Sequence, residues 1–525
     1  MTGGPSSGSS TANATATDNS GNVYVAGSFS GTVSFGTTTL SSLPSSQGSP
    51  DMFLAKWSTN TNTWAWAVRG GGTGEDYAYA VAVSGLNVYV TGLFHSAGSA
   101  IIAGTPLTGQ GLQDAFVAKY FDNGSTVSNG WATSAGSSLD DGAMGVAING
   151  SSVYVAGYAG ANATVAGTAL PGAGHSDAFL AKYIDNGATV SNGWAVSGGG
   201  VLPDVAYGVA VNGSNVYITG YYDDGATVAG TALPMTGGTN VFVAKYVDNG
   251  SSASNGWATS GGGSSDDFGR GIAVSGNSMY ITGTFGTSNN ARLAGVLLTG
   301  RGGGDMFLAK YIDNGSTFTN GWATSGGGSQ EDAGNGLAIR NNNIYVSGFF
   351  KSGSNVSIGG TAMAGYGGFD MFVAKYTDNG TTFGNGWTAS GGGPDTDASY
   401  GVAVNSAGVF TVGTTLQTST YGNLTLAAGP GISYNFLGQL ADATGLAVRG
   451  GTGSAGPRLQ VFPSPAAGAA TLQGAAPGAA VQVLDALGRV AFRTQADAQG
   501  TAVLTLAAGL YVVRSDGLVT RLLME

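Results

Sequence analysis

The chain has 525 residues, only 9% of them charged, and a formal net charge of −11 at pH 7. The negative charge argues against nucleic acid or an anionic membrane surface as a partner. Cysteine is absent, which excludes disulfides, thiolate metal sites and cysteine nucleophiles, and the two histidines, His95 and His175, are too few for the usual zinc sites. No apolar run approaches the roughly 20 residues that span a bilayer, and the first residues do not resemble a signal peptide.

Residues 1–10 are mostly Gly, Ser and Thr, and we expect them to form a flexible segment before a first strand near Ala12–Thr17. From residue 11, one unit repeats seven times. The glycine that ends a Val-Tyr-Val-Ala-Gly-like strand recurs at steps of 65, 65, 63, 63, 65 and 65, at Gly27, Gly92, Gly157, Gly220, Gly283, Gly348 and Gly413. A phenylalanine series (Phe53 to Phe436) and a tryptophan series (Trp66 to Trp387, with Leu446 in the last unit) also count seven.

Each unit reads as four strands without a helix. In the second unit these are Ala80–Val83, Asn87–Gly92, Ala115–Tyr120 and Trp131–Ser134, with a minor hairpin at Ile102–Leu107. The strands are apolar on both faces, so each sheet must be covered on both sides. Residues 11–452 are therefore predicted to form a seven-bladed β-propeller in an all-β protein. A parallel β-helix, the competing fold, usually has shorter repeats of roughly 20–30 residues and lacks antiparallel hairpins.

The last unit ends on a predicted fourth strand near Leu446–Arg449, so every blade is expected to be complete within one repeat. Blades 1 and 7 would then meet by face packing alone, or residues upstream of Met1 would contribute. The units resemble the SBBP-type β-propeller repeat through the segments Asp18–Gly27 and Asp51–Lys56. That resemblance implies the fold and says little about function.

Composition changes after residue 452, and residues 453–525 are predicted to form a linker and a small Ig-like β-sandwich. Four ordered segments, 462–466, 484–490, 509–514 and 521–523, resemble the C-terminal sorting domain of type IX secretion cargo. The residues that carry the resemblance are Pro463, Ser464, Pro465, Asp485, Gly488, Arg489, Gly509 and Tyr511, with Ser464 departing from the usual Asn. The resemblance implies the type IX secretion machinery as a partner. It also implies a secreted or outer-membrane surface location in a Gram-negative, Bacteroidetes-type bacterium.

Acidic residues follow the repeat in two series. One precedes strand one of each blade, at Asp76, Asp141, Asp204, Asp267, Asp332 and Asp397. The other begins strand three, at Asp51, Asp114, Asp177, Asp305 and Asp370, with Asn240 and Asn435 in the remaining blades. Both series are expected on one face of the disc. They are candidates for a rim of carboxylates that binds calcium, or they shape their own Gly-rich turns by accepting backbone N–H groups.

Lysines repeat near the opposite face and are expected to neutralise the acids of the Asp-Asn-Gly turns that follow them in the chain. The lysines are Lys56, Lys119, Lys182, Lys245, Lys310 and Lys375, and the turn acids are Asp122, Asp185, Asp248, Asp313 and Asp378. An active site should break the sevenfold symmetry. The residues that do so are Trp57, Trp64, His95, His175, Arg270, Arg292, Arg301 and Lys351. None of them forms a recognisable catalytic pair.

His95 and His175 lie in adjacent blades and either approach each other or are solvated. Tyr221, Tyr222 and Phe350 either stack on sugars or fill crevices between blades. We expect a monomeric, exported scaffold for binding or adhesion that is not an enzyme and has no cofactor other than calcium. Its partner would be an extracellular protein or glycan. A glycan-binding module is one alternative, and a polysaccharide-directed enzyme that uses Asp140 and Asp141 is another.

Overall fold

A computed structural model describes the chain except at residues 1, 44–47, 96–98, 224, 235, 287–290, 354, 422–423, 427–431, 443–459, 463–468, 474, 486–488, 516–517 and 525. It divides into two units, Met1–Asp442 and Ala443–Glu525, where the sequence predicted a boundary at 452/453. The described residues are all-β, and no helix among them is long and apolar enough to cross a membrane.

The strands of the first half of the first unit are β1 (Thr2–Ser7), β2 (Ser10–Thr17), β3 (Val23–Phe29), β4 (Thr32–Phe35), β5 (Thr38–Ser41), β6 (Asp51–Ser58), β7 (Thr63–Gly70), β8 (Asp76–Ser84), β9 (Asn87–His95), β10 (Ile101–Ile102), β11 (Thr105–Pro106), β12 (Gln113–Asp122), β13 (Val127–Ala135), β14 (Gly142–Asn149), β15 (Ser152–Gly160), β16 (Thr164–Val165), β17 (Thr168–Ala169), β18 (Ser176–Asp185), β19 (Val190–Gly198), β20 (Val205–Asn212) and β21 (Asn215–Tyr222). Its second half contains β22 (Thr227–Val228), β23 (Thr231–Ala232), β24 (Asn240–Asp248), β25 (Ala253–Gly261), β26 (Phe268–Ser275), β27 (Ser278–Phe285), β28 (Arg292–Leu293), β29 (Val296–Leu297), β30 (Asp305–Asp313), β31 (Phe318–Gly326), β32 (Asp332–Arg340), β33 (Asn343–Lys351), β34 (Ser357–Ile358), β35 (Thr361–Ala362), β36 (Phe369–Asp378), β37 (Phe383–Gly392), β38 (Asp397–Asn405), β39 (Gly408–Leu416), β40 (Ser419–Tyr421), β41 (Leu424–Leu426) and β42 (Ser433–Leu440).

Most of these strands form seven antiparallel blade sheets, as the sequence predicted, and five outer hairpins form two-stranded sheets of their own. Blades 1 to 6 contain β2-β3-β6-β7, β8-β9-β12-β13, β14-β15-β18-β19, β20-β21-β24-β25, β26-β27-β30-β31 and β32-β33-β36-β37, and blade 7 begins with β38-β39-β42. The first strand of each blade packs against the first strands of both neighbours, and β2 packs against β38. The ring therefore closes, with the first strands lining its axis.

The two-faced strands explain why the blades need one another. In β9, Val88 and Val90 are buried in the core between blades 1 and 2, whereas Tyr89 between them is buried in the core between blades 2 and 3. Successive side chains point to opposite faces of a pleated sheet, so each strand contributes to two cores at once. One blade alone would expose both of these apolar faces to water, and ring closure removes that cost.

Blade 7 is completed by the N-terminal strand. β1 pairs with β42 at Thr2–Phe436 and Gly3–Asn435, in the position of a fourth strand. The outer hairpins confirm this position, since blade 2's hairpin bridges onto the end of blade 1's fourth strand (Gly71–Ile101) and blade 1's hairpin strand β4 pairs with β1. The predictions of a flexible segment at residues 1–10 and of a ring without a borrowed strand are therefore wrong. Backbone hydrogen bonds to a sheet edge order this Gly- and Ser-rich segment, which has no apolar pattern of its own. The predicted strand at Leu446–Arg449 lies outside the described residues.

The second unit has two antiparallel sheets, as predicted. Its strands are β43 (Gln460–Phe462), β44 (Ala469–Gln473), β45 (Ala480–Leu484), β46 (Val490–Gln495), β47 (Ala502–Thr505), β48 (Gly509–Ser515) and β49 (Leu518–Met524). The sheet orders are β43-β44-β47 and β46-β45-β48-β49. Leu472 and Leu504 of the first sheet share a buried core with Val481, Val483 and Val513 of the second. This unit is a small β-sandwich.

Candidate functional site

The first acidic series is buried and shapes turns. One oxygen of each carboxylate accepts the backbone N–H of the residue four positions earlier, at 2.6 to 2.7 Å, in Asp76, Asp141, Asp204, Asp267, Asp332 and Asp397. A second N–H reaches the other oxygen in several blades, such as that of Gly160 on Asp141. This is the turn-forming role that the sequence left open beside calcium binding.

The second acidic series meets the first in the gap between blades. Asp177 of blade 3 accepts the N–H of Ala173, and it lies beside Asp204 of blade 4. Between them sits Gly199, where an added Cβ would lie 2.1 Å from Asp177 Oδ1 and 2.6 Å from Asp204 Oδ2. The carboxylates thus occupy the space of a side chain, and the Gly-rich connections are needed for that packing.

Replacing this glycine tests the packing directly. We expect Gly199→Ala to destabilise the propeller by about 1–3 kcal/mol, because two buried carboxylates must move to admit a methyl group. Differential scanning calorimetry of the full chain measures the effect. Gly384→Ala is the control, since an added Cβ there would be 3.3 Å from its nearest neighbour, the Asn379 side chain. Equal melting temperatures for the two variants would contradict the packing.

Asn435 does not belong to the second acidic series. Phe436 pairs with Gly413 as Phe53 pairs with Gly27, so the position of Asp51 is taken by Tyr434 in blade 7. Asn435 instead contacts Ser10 of blade 1. Its backbone N–H and its side-chain amide both donate hydrogen bonds to the Ser10 hydroxyl. The sequence prediction was wrong by one residue because blade 7 lacks the Asp-x-Phe spacing.

Burial raises the pKa of the paired carboxyls. It reaches about 7 in Asp76, Asp204 and Asp332 and about 6 in Asp141, Asp267 and Asp305. Among the described residues, no group of three or more His, Asp or Glu side chains is arranged to hold a metal ion. The exposed acids of this face are the neighbours Glu75, Asp140, Asp266 and Glu331. The calcium hypothesis stays a prediction, and the buried pairs by themselves offer two carboxylates that already accept N–H groups.

The lysines neutralise the turn acids, but each lysine pairs with the turn of the next blade and not with the turn that follows it, so the predicted partners were wrong. We call each such group a latch: the Asp of one blade accepts hydrogen bonds from Lys, Tyr and Trp of the preceding blade. In the latch between blades 3 and 4, Asp248 accepts from Lys182 Nζ at 2.6 Å, Tyr154 Oη at 2.6 Å and Trp194 Nε1 at 3.0 Å. The six ion pairs are Lys56–Asp122, Lys119–Asp185, Lys182–Asp248, Lys245–Asp313, Lys310–Asp378 and Lys375–Asp442.

The junction of blades 7 and 1 has no latch of this composition. Phe410 takes the place of the tyrosine, Gln439 that of the lysine and Thr59 that of the aspartate. Donors and acceptor are lost together, so no buried charge is left unpaired. This junction uses β1 and contacts such as Asn405 Nδ2 to the Gly21 carbonyl at 3.0 Å.

The sevenfold symmetry is broken most clearly on the axis. Each first strand carries a β-bulge, and the extra residue lines an open cavity of about 390 Å³ at the centre of the ring. The bulge residues are Asn13, Tyr79, Met144, Tyr207, Arg270, Asn335 and Tyr400. Sequence reasoning singled out only Arg270. The available signal was a lattice position whose chemistry differs from blade to blade while its neighbours stay small.

Among the described residues, the histidines and the aromatic candidates from the sequence do not form a common site. His175 is exposed, whereas His95 lies partly buried at the end of β9, opposite Gln113. Tyr222 and Phe350 are buried, so they fill crevices between blades, whereas Tyr221 packs edge-on against Phe268 near the axis.

The remaining candidates do not converge on one site. Trp57 is buried and its ring lies 5.4 Å from that of Trp64. Arg301 donates to two backbone carbonyls, including that of Ser357 in blade 6, and Arg292 donates to the Gly295 carbonyl of its own hairpin. The Lys351 ammonium lies 5.3 Å from the centre of the Phe369 ring.

The sorting-motif residues are partly described. Asp485 and Arg489 form an ion pair at 2.8 Å, and the Tyr511 hydroxyl donates to the Ala507 carbonyl. Gly509 begins β48. Pro463, Ser464, Pro465 and Gly488 lie outside the described residues.

Comparisons with known proteins give little further guidance. No protein-family model matches the chain, and no curated protein matches it. Among solved structures the chain is similar to PorZ, a surface component of the type IX secretion system of Porphyromonas gingivalis. The identity is 13%, the match covers 96% of this chain and 85% of that chain, and the TM-score is 0.15. The fold assignment rests on the strand pairing above.

Proposed function

We propose that the protein is an exported, non-catalytic β-propeller that acts as a scaffold for binding or adhesion at the cell surface or after release. The observation that carries the proposal is that the repeated polar residues have structural roles, whereas the polar residues of the axial cavity vary between blades. The repeated acids and lysines are buried in turns and latches, whereas the axial cavity presents one side chain from every blade, and these belong to four residue types (Asn, Tyr, Met and Arg). Such a site suits recognition of an asymmetric ligand on a rigid ring.

The geometry favours binding over catalysis. Asp140 is exposed, whereas Asp141 is buried and accepts the N–H and hydroxyl groups of Ser137. Two such carboxyls do not flank a common substrate position, as glycoside hydrolysis requires. We therefore propose the polysaccharide-directed enzyme as the less favoured reading. A glycan-binding module is the second candidate, because the axial cavity presents hydroxyl and amide groups.

We further propose that the C-terminal β-sandwich is a type IX sorting domain, that the blades are SBBP-type repeats and that the protein acts as a monomer. The support for sorting is the ordered set of motifs together with the β-sandwich fold of this unit. The ion pair of Asp485 with Arg489 joins two residues of one of those motifs. This assignment places the protein outside the cell of a Gram-negative bacterium.

Surface delivery tests the sorting proposal. The chain, preceded by a secretory signal peptide, would be expressed in a bacterium with a working type IX system. We expect protease digestion of intact cells, or assay of the medium, to detect the full chain, and we expect loss of residues 443–525 to retain it in the periplasm. Asp497→Ala, in an exposed turn of the sandwich, is the control and should not alter delivery. Equal delivery without residues 443–525, or in a host that lacks the type IX system, would contradict the proposal.

A further inference from the structure

The axial cavity is built by the bulges rather than by loops. In every blade, the first and second strands are paired on both sides of the bulge, and one residue of the first strand has no partner on the second. A β-bulge re-aims a side chain at little cost to the surrounding sheet. The seven bulge residues therefore sit on a rigid ring, which is the placement that a precise binding site requires.

Arg270 is the one charged side chain among the seven bulge residues. Its Nε is buried and has no hydrogen-bond partner in the described part of the chain, and none of the ion pairs found there includes it. Its guanidinium carbon lies 6.0 Å from the centre of the Phe268 ring. A buried guanidinium donor without an acceptor is costly, and a carboxylate supplies the acceptor pair that fits its fork.

Neutral polar groups surround this charge. Tyr207 and Tyr400 are close enough to Arg270 for its charge to act on their pKa, which burial nonetheless raises, so both hydroxyls stay protonated. Asn335 on the next blade donates its amide N–H to the Ser399 carbonyl at 2.9 Å, while its Oδ1 is buried and accepts no hydrogen bond from the described residues. The cavity thus offers hydroxyl donors and an unused amide acceptor beside one cation.

The aromatic side chains add flat apolar surface. The rings of Tyr77 and Tyr79 stack at 5.9 Å, and those of Tyr207 and Tyr221 lie 5.8 Å apart near the same axis. Aromatic faces contribute a large apolar contact area at small conformational cost. One cation, several hydroxyls, one amide acceptor and aromatic faces together match a ring compound that carries one carboxylate and several hydroxyl groups.

We propose that the axial cavity binds an acidic sugar of the uronic-acid type, with its carboxylate on Arg270, its hydroxyls on Tyr207, Tyr400 and Asn335, and its ring against the tyrosine faces. The volume of about 390 Å³ accommodates one or two sugar rings. The inference rests on the proposed binding function and names its ligand class. A strongly polyanionic chain is disfavoured, because the net charge of −11 repels it and the bulge positions provide a single cation.

Binding measurements on the full chain test the proposal. Isothermal titration calorimetry would use galacturonate and glucuronate, their dimers, and the neutral disaccharide cellobiose as the uncharged comparison. We expect the uronates to bind, cellobiose to bind at least about 10-fold more weakly, and Arg270→Gln to weaken uronate binding by at least about 10-fold. Tyr207→Phe should weaken it by a smaller factor. Arg292→Gln is the matched control, because Arg292 lies on an exposed hairpin strand away from the axis, and it should bind as the parent does.

The outcomes separate this inference from the proposed function. Uronate binding that is equal in the parent and in Arg270→Gln, or absent from the parent, overturns the cavity assignment. A glycan array then decides the wider question: retention of other glycans leaves the binding scaffold standing, whereas no retention of any glycan removes the glycan-binding candidate as well. Thermal melting of Arg270→Gln without ligand confirms folding, and a melting temperature equal to that of the parent assigns any loss of affinity to the cavity.

Discussion

Replacing Asp248 with Ala is expected to destabilise the propeller by about 3–5 kcal/mol, the range found when one partner of a buried ion pair is removed. The side chain of Asp248 is 9% exposed, and it accepts hydrogen bonds from three side chains of the preceding blade. Its removal leaves the Lys182 ammonium with only the Gly250 carbonyl, and it leaves Tyr154 and Trp194 without an acceptor. Urea unfolding followed by tryptophan fluorescence measures the change, because Trp194 lies in the latch.

The matched control is Asp140→Ala, which removes an exposed carboxyl and should change stability by no more than about 0.5 kcal/mol. The double variant Lys182→Met/Asp248→Leu should recover most of the loss, because apolar side chains of similar size replace a buried pair at little cost. A small effect of Asp248→Ala, comparable to that of the control, would show that the latch contributes little to joining the blades.

The latch shows what the sequence revealed and what it concealed. The lysines and the turn acids stand three residues apart on one strand, as in Lys119 and Asp122, which suggested pairing within a blade. Side chains three apart point to opposite faces of a strand, so the two cannot meet. Each therefore meets a partner in an adjacent blade: Lys119 contacts Asp185, and Asp122 contacts Lys56. The pleat was sufficient to exclude pairing within the blade.

The N-terminal strand gave no such signal, and the bulges gave only the change of residue type at one repeat position. The N-terminal strand lacks apolar alternation, and its place depends on pairing with β42 at the other end of the propeller sequence. Each bulge inserts one extra residue into a strand whose side chains otherwise alternate between the two faces. The direction of the Tyr79 side chain could therefore not be inferred from its neighbours in the sequence. The number of blades and the two-faced cores, by contrast, follow from repeat spacing and strand composition, which are local properties.

Acidification from pH 8 to pH 5 is expected to stabilise the propeller, raising its melting temperature by roughly 5 °C. Burial raises the pKa of Asp76, Asp204 and Asp332 to about 7, whereas an aspartate in the unfolded chain titrates near about 3.9. Between these values the folded state binds more protons than the unfolded state, so stability falls as the pH rises through this window. Calorimetry at several pH values and constant ionic strength measures the trend.

Below about pH 4 the latches reverse the trend. Their lysines and hydrogen bonds lower the pKa of acids such as Asp248, so the contribution of these groups is complete above the unfolded value and is lost as the pH falls through the folded value. Stability should therefore pass through a maximum near pH 4 to 5.

Asp204→Asn should reduce the difference in melting temperature between pH 5 and pH 8, because an amide accepts the Gly200 N–H without titrating. Asp140→Asn, which removes an exposed acid, should leave the difference unchanged. A melting temperature that rises steadily from pH 5 to pH 8 would show that the paired carboxyls are ionised in the folded ring, and would make a bound cation between them the better explanation of their burial.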